Sequence, residues 1–157
     1  MTLDRPEKKN ALDIAGWRDL RAALDRASEE ARVAVLTGLT GLERCPVPVV
    51  AAVNGLAYGG GFELVAAADL AVAVEGASFA LPETRIGAYP PYAMSRVGDL
   101  CGKKRLMELA LTGDPIDAAT AHEWGLVNRV VAPDGLADEA ATRAFLDRWA
   151  RGPTGRG

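Results

Sequence analysis

Apolar positions along the chain come in two patterns, helical stripes and short unbroken runs. Ile14, Trp17, Leu20, Leu24 and Ala27 recur at three- and four-residue spacing behind Asp13, which predicts a capped amphipathic helix over residues 14–32. Val33-Ala-Val-Leu36 is apolar throughout, the pattern of a strand buried on both faces. Thr37 to Gly41 reads as a turn, and Pro46 and Pro48 precede a second buried strand, Val49 to Val53. A glycine-rich turn from Gly55 to Gly61 leads into an apolar helix over residues 62–68. Leu70 to Val74 and Ser78 to Leu81 are further strand candidates. Pro90-Pro91 is expected to break the chain before a helix near residues 94–100, and a stronger helix runs from Lys103 to Leu111, stopped by Thr112-Gly113. Asp117 caps another helix that Gly125 ends, Val127 to Val131 is a strand, and Leu136 to Arg151 is an amphipathic helix. Strands alternating with helices predict an α/β fold in one domain, residues 1–151, with a disordered tail over 152–157.

Composition narrows the function. Hydrophobic residues make up 49% and charged residues 25% of the 157, enough for a buried core. A net charge of −3 gives no basic face for nucleic acid. Cys45 and Cys101 form no CxxC pair, and His122 is the only histidine, so neither a zinc site nor a disulfide framework is expected. The first residues lack a basic region followed by an apolar run, and no apolar stretch reaches the length of a membrane span, so a cytoplasmic protein is expected.

The segment Asn54-Gly-Leu-Ala-Tyr-Gly-Gly-Gly-Phe-Glu-Leu64 runs from a strand through three glycines into a helix. The first amides of a helix have no internal partner, and the helix dipole makes them positive, so such a turn holds an anion. The spacing is not GxGxxG, and Phe62 follows where a phosphate loop needs lysine, so a developing oxyanion is the better candidate than a phosphate. Each preorganised donor there lowers a barrier by roughly 3–4 kcal/mol. Glu63, in the first helical turn, either faces water or is buried among Phe62, Leu64 and Val65. Glu83, in Leu81-Pro-Glu-Thr-Arg85, reads on its own as a solvated loop carboxylate with Arg85 as an available ion partner. His122, Trp17, Trp124, Trp149 and Cys101 read as structural residues.

Taken together the segments resemble the enoyl-CoA hydratase/isomerase (crotonase) family. The resemblance begins at Leu3-Asp-Arg-Pro-Glu-Lys-Lys-Asn-Ala-Leu12 and continues through Val33 to Gly38. It is strongest from Pro48 to Leu64 and at Ala68-Asp-Leu70, then resumes at Phe79-Ala-Leu-Pro-Glu-Thr-Arg-Ile-Gly87, Leu109 to Ala119 and Gly125 to Val131. It implies a crotonase-like (ClpP/crotonase) spiral of β-β-α units, here truncated. It also implies reversible hydration of a 2-enoyl-CoA thioester to a 3-hydroxyacyl-CoA, with coenzyme A as part of the substrate and no separate cofactor or metal. Glu63 and Glu83 match the paired catalytic glutamates, and Gly60 one backbone donor of the oxyanion hole. Lys8 and Lys9 fall in the segment that lines the coenzyme A site, Pro82 and Gly87 shape the acyl pocket, and Tyr58 faces that pocket or packs in the core. Isomerases of the family usually keep only the second glutamate, so two favour a hydratase; an isomerase and a noncatalytic fragment are the alternatives.

The chain departs from the family after Thr37-Gly38. Relatives continue there into a Phe-Ser/Cys-Ala-Gly-x-Asp-Leu segment that supplies the other oxyanion donor and much of the adenine pocket, whereas this chain passes to Leu39-Thr-Gly-Leu-Glu-Arg-Cys-Pro46. Loss of one donor costs about 10²–10³ in rate. Family C-terminal helices are also largely missing, which is expected to weaken a homotrimer or hexamer. Tyr89 and Tyr92 replace a glycine-rich stretch common in hydratases and change the acyl pocket's shape.

Overall fold

The apolar runs Val49 to Val53 and Leu70 to Val74 supply neighbouring strands of a parallel sheet. A computed structural model describes residues 42, 45 and 48–137 of the chain. In chain order the elements are β1 (Val50–Val53), β2 (Leu56–Tyr58), α1 (Gly60–Ala67), β3 (Leu70–Val74), β4 (Ser78–Ala80), a 3-10 turn (Pro82–Ile86), α2 (Pro91–Cys101), α3 (Lys103–Thr112), β5 (Ile116–Asp117), α4 (Ala118–Glu123), β6 (Arg129–Val131) and α5 (Pro133–Ala137). One sheet has the order β1-β3-β6 and is parallel throughout, with Val50 beside Leu70 and Val72 beside Arg129. The other has the order β2-β4-β5, with β4 parallel to β2 and antiparallel to β5.

The winding follows from these pairings. The chain lays β1 in the first sheet and β2 in the second, crosses through α1, then lays β3 beside β1 and β4 beside β2. Each ββα unit therefore adds one strand to each sheet, which is the spiral the family resemblance implies. Two side chains hold the first sheet where backbone pairing stops. Asp69 Oδ2 accepts from the Val49 N–H at 2.7 Å, and Asn128 Oδ1 accepts from the Ala71 N–H at 2.7 Å.

The space between the sheets and helices is filled by one cluster that includes Val53, Phe62, Ala73, Phe79, Val97 and Leu109. Phe62 of α1 meets Phe79 of β4 edge to face, with centroids 5.8 Å apart. Leu42, Val49 and Leu64 form a smaller second cluster.

Several expectations shift. The stretch read as a continuous turn from Gly55 to Gly61 contains β2, paired with Ser78–Ala80; three residues between glycines are too few to show a period. Pro91 does not break the chain but occupies the first turn of α2, where its missing N–H costs nothing. The helix expected over 94–100 therefore begins earlier. A two-residue strand, β5, precedes α4, whose cap is Asp117 as expected, its carboxylate accepting from the Thr120 N–H at 2.8 Å. The last described helix begins at Pro133 rather than Leu136. The expected helix over 14–32, the strand over 33–36, most of the helix to Arg151 and the tail lie outside the described residues.

Candidate active site

Two carboxyl groups 20 positions apart in sequence become neighbours because β2 and β4 run parallel side by side. Tyr58 pairs with Ala80, and the Gly59 N–H donates to the Ala80 carbonyl at 2.9 Å. Each strand then ends in a turn carrying a glutamate: Glu63 on the first turn of α1, Glu83 in the 3-10 turn. Their proximity follows from topology, not from any local pattern.

Glu63 is buried, at 7% exposure, and is the only charged or polar residue so buried among the described residues. Of its two open readings, burial is the correct one. Its Oε1 accepts from the Ala93 N–H at 2.9 Å. Ala93 lies in the first turn of α2, a helix with no side-chain cap of its own at Pro90. Glu63 thus occupies the place of a cap donated from another helix, which fixes its orientation.

Glu83 is not the solvated carboxylate its local sequence suggests. Its Oε2 is buried and has no hydrogen-bond partner among the described residues. Burial pushes its carboxyl above the ordinary carboxylate value; a backbone hydrogen bond within its own residue offsets part of this, and the negative charge of Glu63 adds to the rise. Arg85 does not pair with Glu83 either. It forms an ion pair with Asp114 at the far side of the turn.

Gly59 explains how the Glu83 carboxyl fits. It has φ of +55°, and a Cβ built on it would lie 2.7 Å from Glu83 Oε1. Only a glycine gives both the backbone angle and the clearance. The three consecutive glycines are a visible signal, but the sequence does not say that the first of them faces Glu83. Gly60 opens α1, so its N–H has no intrahelical partner, and a Cβ built on Gly60 or Gly61 meets nothing within 4 Å. Both glycines are exposed, so the helix N-terminus is open.

The other sequence candidates are placed as follows. Pro82 opens the 3-10 turn and is half-buried, and Gly87 closes it in the left-handed conformation with φ of +70°. The Tyr58 hydroxyl shares a hydrogen bond of 3.1 Å with Ser78 Oγ, which in turn donates to the Ile116 carbonyl, so this side chain lies along the second sheet. Lys8 and Lys9 lie outside the described residues, as do Trp17 and Trp149. His122 Nδ1 lies 3.0 Å from the Val127 carbonyl, and Cys101 donates to the Val97 carbonyl, each tied within its own neighbourhood away from the carboxyl pair. Trp124 lies under the Arg105 guanidinium, 5.2 Å from its ring centre, as a packing residue. Among the described residues no group of three or more His, Cys, Asp or Glu side chains could hold a metal ion, and no helix is long and apolar enough to cross a membrane.

A ββα spiral that sets two carboxyl groups beside the open N-terminus of a helix can move protons to and from a substrate whose developing negative charge that terminus accepts. Residues 39–155 match the family Enoyl-CoA hydratase/isomerase. The chain is 43% identical over 129 residues to the carnitinyl-CoA dehydratase of Citrobacter koseri, covering 80% of this chain and 49% of that one. The same figures relate it to the carnitinyl-CoA dehydratase of Salmonella agona. Among solved structures it resembles the enoyl-CoA hydratase of Bacillus anthracis, with a TM-score of 0.84 and 32% identity over 92% of this chain and 70% of that one. It also resembles the enoyl-CoA hydratase of Mycobacterium smegmatis, with a TM-score of 0.84 and 30% identity over 93% and 70%. The chain belongs to the enoyl-CoA hydratase/isomerase family, and it spans about half the length of the curated relatives it matches.

Proposed function

We propose that the chain adds water reversibly to a 2-enoyl-CoA thioester, giving a 3-hydroxyacyl-CoA, with Glu63 and Glu83 as its acid–base pair. The observation that carries this reading is the orphaned, buried oxygen of Glu83 set beside the oriented carboxyl of Glu63. A carboxyl oxygen buried without a partner costs stability, and such groups cluster where chemistry uses them.

In this reading the two carboxyl groups hold one water between them. Glu63, its Oε1 fixed by the Ala93 N–H, orients the water and takes a proton from it as the water oxygen bonds to Cβ. Glu83, whose surroundings favour the protonated carboxyl, delivers a proton to Cα. The thioester oxygen, carrying enolate charge between these events, lies against the Gly60 N–H. General acid–base catalysis of this kind contributes roughly 10²–10⁴-fold. The chemistry requires neither metal nor redox cofactor. Both glutamates favour hydration over isomerisation. The similar carnitinyl-CoA dehydratases are named for the reverse reaction, which extends the candidate substrates to carnitinyl-CoA.

A second reading has one observation in its favour. Where relatives carry the segment with the other oxyanion donor, this chain passes directly from Gly38 to Leu39. On that reading the chain is a noncatalytic unit of the fold. The test is loss of crotonyl-CoA absorbance on mixing with the chain, with carnitinyl-CoA dehydration run alongside. Turnover that falls about 10²-fold or more in both Glu63→Gln and Glu83→Gln supports the proposal. Absence of turnover on either substrate from a folded chain assigns the second reading.

A further inference from the structure

Two residues beyond Glu83 in the same 3-10 turn, Arg85 reaches away from the carboxyl pair. Its Nη2 pairs with Asp114 Oδ1, and its Nε donates to the Thr112 carbonyl at 3.4 Å. Thr112 is the last residue of α3, and the final carbonyls of a helix lack internal partners and carry the negative end of its dipole. A planar guanidinium donates from Nε and Nη2 at a fixed spacing and so holds both acceptors at once, whereas lysine has one nitrogen to reach them from.

Gly113, between those two partners, has φ of +65°, and a Cβ built on it would lie 2.9 Å from Arg85 Nε and 3.2 Å from its Cγ. The arginine therefore crosses the helix end at a spacing that only glycine leaves open. Within the turn, the Gly87 N–H donates to the Thr84 carbonyl at 3.1 Å and the Ala88 N–H to the Glu83 carbonyl at 2.9 Å. None of the five residues of the turn is itself buried, so the hydrophobic core holds it only at its start, through Leu81. An exposed ion pair adds little to global stability. What this one can fix is the place of the turn, and with it the Glu83 carboxyl against Gly59.

We propose that Arg85 is a positioning residue for Glu83, clamping the Pro82–Ile86 turn to the C-terminal end of α3 through Asp114 and the Thr112 carbonyl. The activity arm of its test rests on the hydration reading above; the exchange arm does not.

The experiment compares the parent chain with Arg85→Ala, Arg85→Lys, Asp114→Asn and the Arg85→Ala/Asp114→Asn double variant. Amide hydrogen exchange at Gly87 and Ala88 is expected to quicken about tenfold or more in Arg85→Ala, while amides in the middle of α3 keep their protection. For crotonyl-CoA hydration, kcat is expected to fall roughly 10–100-fold with KM within about twofold, because the substrate contacts remain while the carboxyl is misplaced. Arg85→Lys is expected to recover part of the loss, and the double variant to be no worse than Arg85→Ala alone. Unchanged exchange at Gly87 and Ala88, or unchanged kcat in a turn that has loosened, would overturn the proposal. A parent chain without turnover would sink the hydration reading and leave the clamp to be decided by exchange alone.

Discussion

The two glutamates carry the same side chain and are held in opposite ways. Glu63 has an N–H aimed at it, whereas a Glu83 oxygen is buried with no partner among the described residues. Motif resemblance picks out both positions, but neither environment is legible in the sequence. The Glu63 partner comes from 30 positions away, and Glu83 depends on the missing Cβ of Gly59. The contrast predicts a pH-dependent stability effect. Because burial raises the folded-state pKa of Glu83 above its unfolded value, stability is present below the unfolded value and lost as pH rises through the folded one. At neutral pH the carboxylate therefore destabilises the fold. Glu83→Gln is expected to raise the melting temperature at pH 7 by about 2 °C, a small gain because the group is only partly buried. The gain should shrink towards zero by about pH 3, below the ordinary glutamate value, where the carboxyl is protonated in both the folded and the unfolded state. Thermal unfolding followed by circular dichroism at the two pH values checks this; a gain equal at both would mean that charge is not its source.

At the scale of elements, legibility follows length. The runs at Leu70 to Val74 and Lys103 to Leu111 emerge as β3 and α3 within one residue of their expected ends, because five or more patterned residues outweigh local noise. β2 and β5, with three and two residues, exist only because β4 lies between them to pair with both. No local pattern announces such strands. The start of α2 is a different case: Pro91 marks a first helical turn well, but the usual capping side chain is absent from Pro90. Glu63 supplies that function from α1, so it serves fold as well as chemistry. Glu63→Ala leaves the Ala93 N–H buried without an acceptor and is expected to cost about 1–2 kcal/mol in urea unfolding, opposite in sign to Glu83→Gln at neutral pH. Glu63→Gln keeps an oxygen at the same place and should cost less than half as much, which makes it the sounder variant for activity measurements. Equal losses from both substitutions would show that the Ala93 bond contributes nothing to α2.

At the scale of the whole molecule, the α/β class is readable from alternating runs, but the strand order is not. β1 lies beside β3 and β2 beside β4, each pair separated in sequence by an element of the opposite sheet. Here the resemblance gives what periodicity cannot, because it brings a complete winding with its motifs. That winding places the two glutamate carboxyls at equivalent exits of successive units, and those units share one core through the Phe62–Phe79 contact. Both rings are fully buried, with 0% exposure, so the contact joins the helix that carries Glu63 to the strand that leads into Glu83. Phe79→Ala removes the larger part of this junction and is expected to cost about 3–5 kcal/mol, a large share of the stability of a small domain. Phe79→Leu refills much of the volume and should cost about 1.5 kcal/mol or less. If the two units fold on a common core, unfolding of Phe79→Leu followed by tryptophan fluorescence and by far-ultraviolet circular dichroism has one midpoint. Two separated midpoints would mean that the units unfold independently, and that the carboxyl pair is assembled by docking of units already formed rather than by the closing of a single core.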